Sequence, residues 1–131
     1  VDRDSKKAME TFQKAAKEGL PEAQNHLGRT YEIGEDVETD MPRAVKLYKQ
    51  GADQGYEPAI FNYEMALRAG ADKGDANIKT MNTEYADEQF RHGLVYQERK
   101  DQKHAFLCFL KAARHDHPEA QMRTALCYEK G

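Results

Sequence analysis

Residues 23–55 read AQNHLGRTYEIGEDVETDMPRAVKLYKQGADQG and contain two helical patterns. Each pattern places small and aromatic residues four positions apart, which is the spacing of one helix face. The residues are Ala23, Leu27 and Tyr31 in the first pattern, and Ala44, Tyr48 and Ala52 in the second. The stretch therefore predicts two amphipathic helices.

The residues between these helices predict where each one ends and begins. Gly34 is suited to ending the first helix, because glycine adopts the left-handed backbone at low cost. Asp40 is a good cap for the second helix, and Pro42 lies in its first turn, where the missing N–H costs little. Gly55 follows the second helix. We expect a helical hairpin closed by glycine at both ends.

The hairpin recurs along the chain with small and aromatic residues in the same slots. One offset of 36 residues relates Ala8 to Ala44, Phe12 to Tyr48, Gly19 to Gly55, Ala23 to Ala59, and Gly34 to Gly70. A second offset of 61 residues relates Ala44 to Ala105, Tyr48 to Phe109, Ala52 to Ala113, Ala59 to Ala120, and Gly70 to Gly131. A single hairpin cannot bury its own apolar stripe, so neighbouring copies must stack.

The repeats predict an all-α fold, a right-handed α-solenoid (superhelix) of seven or eight antiparallel helices without strands. The whole chain, 1–131, is expected to form one repeat array. Its segments are a partial repeat at 5–20, repeats at 21–55 and 56–83 (the latter with a shortened second helix over 71–83), a degenerate repeat at 84–116 and a partial repeat at 117–131. Ala23, Ala52, Ala59 and Ala113 should be buried at helix crossings, with Tyr48 in the core between helices.

The middle of the chain departs from the period, because 25 extra residues separate Gly70 from Ala105. A helix is expected over 84–99, and two registers remain open for it. In one, Ala86, Phe90 and Leu94 form the apolar stripe; in the other, Gly93 and Tyr96 occupy the Gly and Tyr slots of the repeat. An insertion loop is the weaker alternative, since long unstructured loops are uncommon.

Composition argues against two classes of partner. The 20 basic and 23 acidic residues give a net charge of −3, and the two signs alternate without a basic cluster, which disfavours nucleic-acid binding, including a helical-repeat RNA binder. No apolar run approaches the roughly 20 residues of a membrane span. A protein or peptide partner is the remaining expectation.

Sequence motifs for catalysis, cofactors and metals are absent, so none of these three functions is predicted. The segment His115-Asp116-His117 is the most metal-like cluster, but its place in a turn before Pro118 favours solvated turn residues. Cys108 and Cys127 each fall on an apolar stripe, which favours buried free thiols. A disulfide between them stays an open alternative.

The stretch from Ala23 to Gly55 resembles the Sel-one-like repeat, a relative of the tetratricopeptide repeat. That family's pattern runs roughly A-x-x-x-L-G-x-x-Y-x-x-G-x-G-V-x-x-D-x-x-K-A-x-x-W-Y-x-K-A-A-x-x-G. This chain departs from it where Asp36 replaces a loop Gly, Leu47 replaces Trp, and Thr124-Ala125 replaces Leu-Gly in the last copy. The resemblance implies a stack of helical hairpins that binds other proteins.

The resemblance also implies which residues line a concave face, because first helices line it in the tetratricopeptide family. The slots beside the small Gly or Ala give Asn25, Arg29, Phe61, Met65, Met122 and Leu126, joined by Phe90 and Leu94 if Gly93 holds the Gly slot. Packing between repeats is the alternative for Phe90 and Leu94. The predicted function is a non-catalytic scaffold or adaptor that binds a partner on this face. The alternative is a regulatory or substrate-recognition arm of a larger multidomain protein, including one that carries an enzyme.

Overall fold

A computed structural model describes residues 3–130, and this range contains seven α-helices and no strand. The all-α prediction is confirmed, and the right-handed superhelix stays a prediction. The helices are α1 (Arg3–Lys17), α2 (Pro21–Ile33), α3 (Met41–Asp53), α4 (Glu57–Asp72), α5 (Ala76–Glu98), α6 (Gln102–Arg114) and α7 (Pro118–Glu129).

In the loop between α2 and α3, α2 ends at Gly34 and α3 is capped by Asp40, as predicted. Gly34 is left-handed, with φ +81°, and its N–H donates to the carbonyl of Thr30. The Asp40 carboxylate accepts from the backbone N–H of Arg43 at 3.2 Å. Asp101 caps α6 in the same way, and the bond from the backbone N–H of His104 lowers the pKa of Asp101.

The other connections are short turns that share one backbone hydrogen bond. In each, an N–H just past the helix donates to the carbonyl five residues earlier, which is the Schellman arrangement. The bonds run from Leu20 to Ala15, Tyr56 to Gly51, Asp75 to Gly70, Asp101 to Tyr96, and His117 to Ala112. Such short turns favour an antiparallel course of consecutive helices.

The chain divides into two compact units, Val1–Ile78 (unit 1) and Lys79–Gly131 (unit 2). In unit 1, α2 and α3 meet at a close contact between Gly28 and the fully buried Tyr48. A Cβ at Gly28 would lie 2.6 Å from Tyr48 Cε1, so the ring occupies the space of the missing side chain. The prediction that Tyr48 lies in the core is confirmed.

Unit 2 repeats this contact between α5 and α6. A Cβ at Gly93 would lie 2.5 Å from Phe109 Cε1, and Phe109 belongs to a buried cluster with Phe90, Ala105, Ala112 and Ala120. Gly93 therefore occupies the slot that Gly28 holds in unit 1. The two registers left open by the sequence prove compatible, because Gly93 holds the Gly slot while Ala86 and Phe90 are buried and Leu94 is half-buried.

The prediction of a separate shortened helix over 71–83 is wrong. α4 continues to Asp72, and Ala76–Glu98 forms one helix of 23 residues. The boundary predicted between residues 83 and 84 therefore falls inside α5. The Asp75 carboxylate accepts from the backbone N–H groups of Asn77 and Ile78 and caps α5. No Gly or Pro occurs between Ala76 and His92, so nothing in this stretch ends the helix.

Two of the four predicted alanine contacts lie one position away from where they were expected. Ala23 and Ala59 are buried as predicted, whereas Ala52 and Ala113 are only half-buried and their neighbours Gly51 and Ala112 are buried. A Cβ at Gly51 would lie 2.8 Å from Ala59 Cβ, so the α3–α4 crossing passes through the glycine. The packed stripe on α3 and α6 is thus rotated by one residue from the predicted one.

Candidate functional site

Exposed large apolar side chains occur in unit 1 at Leu20, Ile33, Phe61 and Met65, and the last two lie together on α4. Phe61 is 64% exposed and Met65 is 52% exposed. The two are four residues apart and therefore share one face of the helix. Isolated exposed apolar residues are common, but two large ones on adjacent turns form a patch that a partner can cover.

Helix α2 contributes a polar edge beside this patch. The side-chain amide of Asn62 donates to Asn25 Oδ1 at 2.9 Å and ties α4 to α2. Arg29 follows Asn25 by one helical turn, and its side chain is exposed. We call Asn25, Arg29, Phe61, Asn62 and Met65 the α2/α4 face. It unites four of the predicted site residues with Asn62, which the sequence did not single out.

Unit 2 presents an apolar pair at the corresponding positions of α7. Met122 is 67% exposed and Leu126 is 49% exposed, and one helical turn separates them. They lie 61 residues after Phe61 and Met65, so both units present a large apolar side chain in the same two slots.

Phe90 and Leu94 lie largely in the core of unit 2. Phe90 is 8% exposed; its ring stacks on His117 at 4.3 Å and lies 5.4 Å from the ring of Phe109. Leu94 is half-buried against the same cluster. Phe90 holds the slot of Asn25, which is half-buried in unit 1, and an apolar ring in that slot completes the core. The expectation of an exposed Phe90 on a binding face is corrected here.

A groove that the sequence did not predict lies between α1 and α3, with α2 beneath it. Its volume is about 860 Å³. Its lining consists of Glu10, Gln13, Lys14, Ala16, Lys17, Gln24, Leu27, Tyr31, Arg43, Lys46, Leu47 and Gln50. The pairs of cations three residues apart on α1 and α3 were the available signal, but only the fold brings these two helices together.

The histidines around Asp116 have structural contacts, not the solvated positions that were predicted. His115 is buried, and its Nδ1 lies 2.6 Å from Asn82 Oδ1. His117 Nδ1 accepts from the backbone N–H of Ala120 and caps α7. Residues 3–130 contain no cluster of three His, Cys, Asp or Glu side chains arranged to hold a metal ion.

Burial affects the pKa of one cysteine and one tyrosine, Cys108 and Tyr48. Cys108 is half-buried, and burial raises the pKa of its thiol, which disfavours the reactive thiolate. Cys127 is exposed, contrary to the buried position expected, and both thiols are free. Burial and a 2.5 Å hydrogen bond to Glu32 Oε1 raise the pKa of the Tyr48 hydroxyl, which therefore stays protonated.

The family model of the Sel1 repeat matches residues 1–20, 21–56, 89–117 and 118–131, which make up most of the chain. The chain belongs to the Sel1 repeat family. The third matched segment begins within α5 and contains Gly93, in agreement with the contact between Gly93 and Phe109. Sel1 repeats form tetratricopeptide-like helical solenoids and are generally protein–protein interaction modules, typically without catalytic activity.

Two curated proteins are similar to parts of this Sel1 repeat chain. DAP3-binding cell death enhancer 1 of Rattus norvegicus is 39% identical over 69 residues, which cover 48% of this chain and 14% of the rat protein. An uncharacterized protein of Neisseria meningitidis serogroup B is 42% identical over 48 residues, covering 37% of this chain and 10% of that protein. The chain thus spans only a small part of the length of either relative.

The helices do not have the character of membrane spans. Within residues 3–130, none is both long enough and apolar enough to cross a bilayer.

Proposed function

We propose that this Sel1 repeat chain is a non-catalytic scaffold or adaptor that binds a protein partner through the α2/α4 face of unit 1. The observation that carries the proposal is the exposure of Phe61 and Met65 on adjacent turns of α4. Large apolar side chains are the usual centres of binding energy in protein interfaces. Phe61 and Met65 are not needed for the core, because Tyr63, Ala66 and Leu67 form the buried side of the same helix.

The polar edge of the face would fix the orientation of the partner. Asn25 and Asn62 are already hydrogen-bonded to each other, so their amides are held in place before a partner arrives. The exposed Arg29 can donate to a carboxylate or carbonyl on the partner. Such preorganisation lowers the entropy lost on binding. The rat relative is named as a DAP3-binding protein, which supports the same class of function.

The proposal can be tested by photocrosslinking at matched positions. A photoreactive amino acid would replace Met65, which lies in the face, or Leu107, an apolar residue of α6 that is 47% exposed and lies outside the face. We expect a discrete protein adduct from position 65 and none from position 107. Equal adducts from both positions, or an adduct from position 107 alone, would contradict a role for the α2/α4 face.

The alternative is that the chain is a regulatory or substrate-recognition arm of a larger multidomain protein. This alternative is supported by the relatives, because the chain covers only 14% and 10% of their lengths. Under this alternative the crosslink from position 65 would join two parts of the same polypeptide. Mass spectrometry of the adduct formed in the native protein separates the two cases, because it identifies the peptide joined to α4.

A further inference from the structure

We infer that the groove between α1 and α3 of unit 1 is a second binding surface, which takes a short extended acidic segment of a protein. Its walls carry four cations, Lys14 and Lys17 on α1 with Arg43 and Lys46 on α3, against one carboxylate, Glu10. None of the four is ion-paired with a carboxylate among residues 3–130. A local surplus of positive charge is thus concentrated in one concavity of a chain whose net charge is −3.

Three of the cations lie toward opposite ends of the groove, and Lys46 lies nearer the middle of α3. Because α1 and α3 both run antiparallel to α2, they are parallel to each other. Lys14 and Lys17 belong to the last turn of α1, whereas Arg43 is in the first turn of α3. Helices of 15 and 13 residues are about 20 Å long. A matching ligand therefore needs two negative groups separated along its length, not a single compact anion.

The floor between the two ends is mainly apolar. Leu27 and Ala16 form its buried part, and the half-buried Leu47 lies beside them. The polar side chain in the floor, Gln24, is already satisfied, since its amide donates to the carbonyl of Ala16 and its oxygen accepts from Gln54. An apolar side chain is the favoured occupant of the middle of the groove, because it leaves no polar group of the floor unpaired.

One wall is positioned before any ligand binds. The guanidinium of Arg43 lies 4.8 Å from the centre of the Tyr31 ring, a cation–π contact that restrains its long side chain. Arginine held in this way retains its N–H donors for a carboxylate. Lys14, Lys17 and Lys46 are exposed and can adjust to the ligand.

These features favour an acidic peptide over a nucleic acid or an anionic membrane. An extended segment rises about 3.3 Å per residue, so two carboxylates four residues apart are about 13 Å apart. The long side chains of Lys14 and Arg43 can reach them from the two sides of the groove. An apolar residue between them meets the floor. A sugar–phosphate backbone or a lipid headgroup layer would meet the cations but would make no use of the apolar floor. The pattern acidic–x–apolar–x–acidic is the expected ligand.

The test uses a labelled, end-blocked peptide, Glu-Ser-Leu-Ser-Glu, titrated against the full chain at low ionic strength by fluorescence anisotropy. Saturable binding is expected, weakened by added salt. The double variant Lys14→Gln/Lys46→Gln should weaken binding about 3- to 20-fold, since exposed ion pairs contribute modestly. The matched control Arg68→Gln/Lys73→Gln changes the net charge equally outside the groove and should leave the affinity within about twofold. Circular dichroism checks that both variants keep their helicity.

Variants of the peptide test the two halves of the recognition. Replacing both Glu by Gln should abolish measurable binding, and replacing Leu by Ser should weaken it several-fold. The inference is overturned if the folded chain does not bind the peptide at all, or if the groove and control variants weaken it equally. It is also overturned if single-stranded RNA or anionic vesicles bind more tightly than the peptide and lose binding in the groove variant. Phe61→Ala, which changes the α2/α4 face, should leave peptide binding unchanged. The proposals for the two surfaces are therefore tested independently.

Discussion

The two units build the same helix contact with different polar chemistry. In unit 1 the ring of Tyr48 packs on Gly28, and its hydroxyl donates to Glu32. In unit 2 Phe109 packs on Gly93 without a hydroxyl. Gln97 holds the slot of Glu32, and its side-chain oxygen accepts from Arg123. The ring-on-glycine contact is therefore the constant element, and the polar group at its edge varies.

A second pair of slots shows the same exchange between polar and aromatic contacts. Asn25 accepts a hydrogen bond from Asn62 in unit 1. The corresponding residues of unit 2 are Phe90 and Arg123, and the guanidinium lies 5.3 Å from the ring centre. Unit 1 thus keeps a polar seam between its first helices, whereas unit 2 fills the seam with an aromatic ring. The α2/α4 face thus has an amide pair where unit 2 has an arginine packed on an aromatic ring.

Truncating the ring should have the largest effect in either unit. Tyr48→Ala and Phe109→Ala each leave a cavity against a glycine that cannot fill it, so we expect a loss of about 3–5 kcal/mol in the free energy of unfolding. Urea denaturation followed by circular dichroism measures this loss. A much smaller loss for Phe109→Ala alone would show that Gly93 and Gly28 are not equivalent slots.

Adding a methyl group on the other side of the contact should have a smaller effect. Gly28→Ala and Gly93→Ala place a Cβ 2.6 Å and 2.5 Å from the facing rings. Overpacking lowers the free energy of unfolding by about 1–3 kcal/mol, and the better helix propensity of alanine offsets up to about 1 kcal/mol of this loss. We expect both variants to have lower denaturation midpoints. Gly74→Ala is not a suitable control, because its φ of +82° adds strain. The control is Glu84→Ala, at an exposed position inside α5. An unchanged midpoint for both glycine variants would contradict the close contact.

Removing the hydroxyl of Tyr48 should have the smallest effect and should depend on pH. Tyr48→Phe loses the hydrogen bond to Glu32, and we expect a cost of about 1–2 kcal/mol at neutral pH. The folded state raises the pKa of Tyr48, so its contribution to stability is complete below the unfolded pKa of about 10 and is lost as pH rises above it. The advantage of the wild type over Tyr48→Phe should therefore shrink above about pH 10.

Unit 2 supplies the comparison for this pH dependence. Phe109→Tyr introduces a hydroxyl on the ring that packs on Gly93, in the unit where Gln97 holds the slot of Glu32. We expect the free energy of unfolding to change by at most about 1 kcal/mol. If the difference between wild type and Tyr48→Phe stays constant from pH 8 to pH 11, the hydroxyl of Tyr48 is not held as the structure has it.

Local signals made much of this fold predictable from the sequence. Gly34 and Asp40 act within their own helix ends, and Tyr48 recurs at the repeat period, so short stretches of sequence contain the information. The length of α5 was missed because two patterns overlap in it and no Gly or Pro marks a break. The burial of His115 depends on Asn82, which lies 33 residues away. No local pattern contains that partnership.

The candidate surfaces were predictable to a smaller degree. Phe61 and Met65 followed from their slots in the repeat, and their exposure agrees with those slots, whereas binding by them stays a proposal. For Phe90 the sequence left both a binding face and core packing open, and the structure has the core packing. Phe90 shares its slot with Asn25, and whether that slot is exposed depends on the residue that fills it. The groove combines residues of three helices, so it exists only after the helices pack.

The central claim, partner binding by the α2/α4 face, is tested most directly by the affinity of Phe61→Ala for the partner found by crosslinking. Isothermal titration should show an affinity at least about 30-fold weaker, which corresponds to the roughly 2 kcal/mol of a good apolar anchor, with an unchanged denaturation midpoint. Leu107→Ala, the exposed apolar control, should keep the wild-type affinity. If Phe61→Ala instead lowers the midpoint while the folded fraction binds with wild-type affinity, Phe61 is a core residue and the account of this face is wrong.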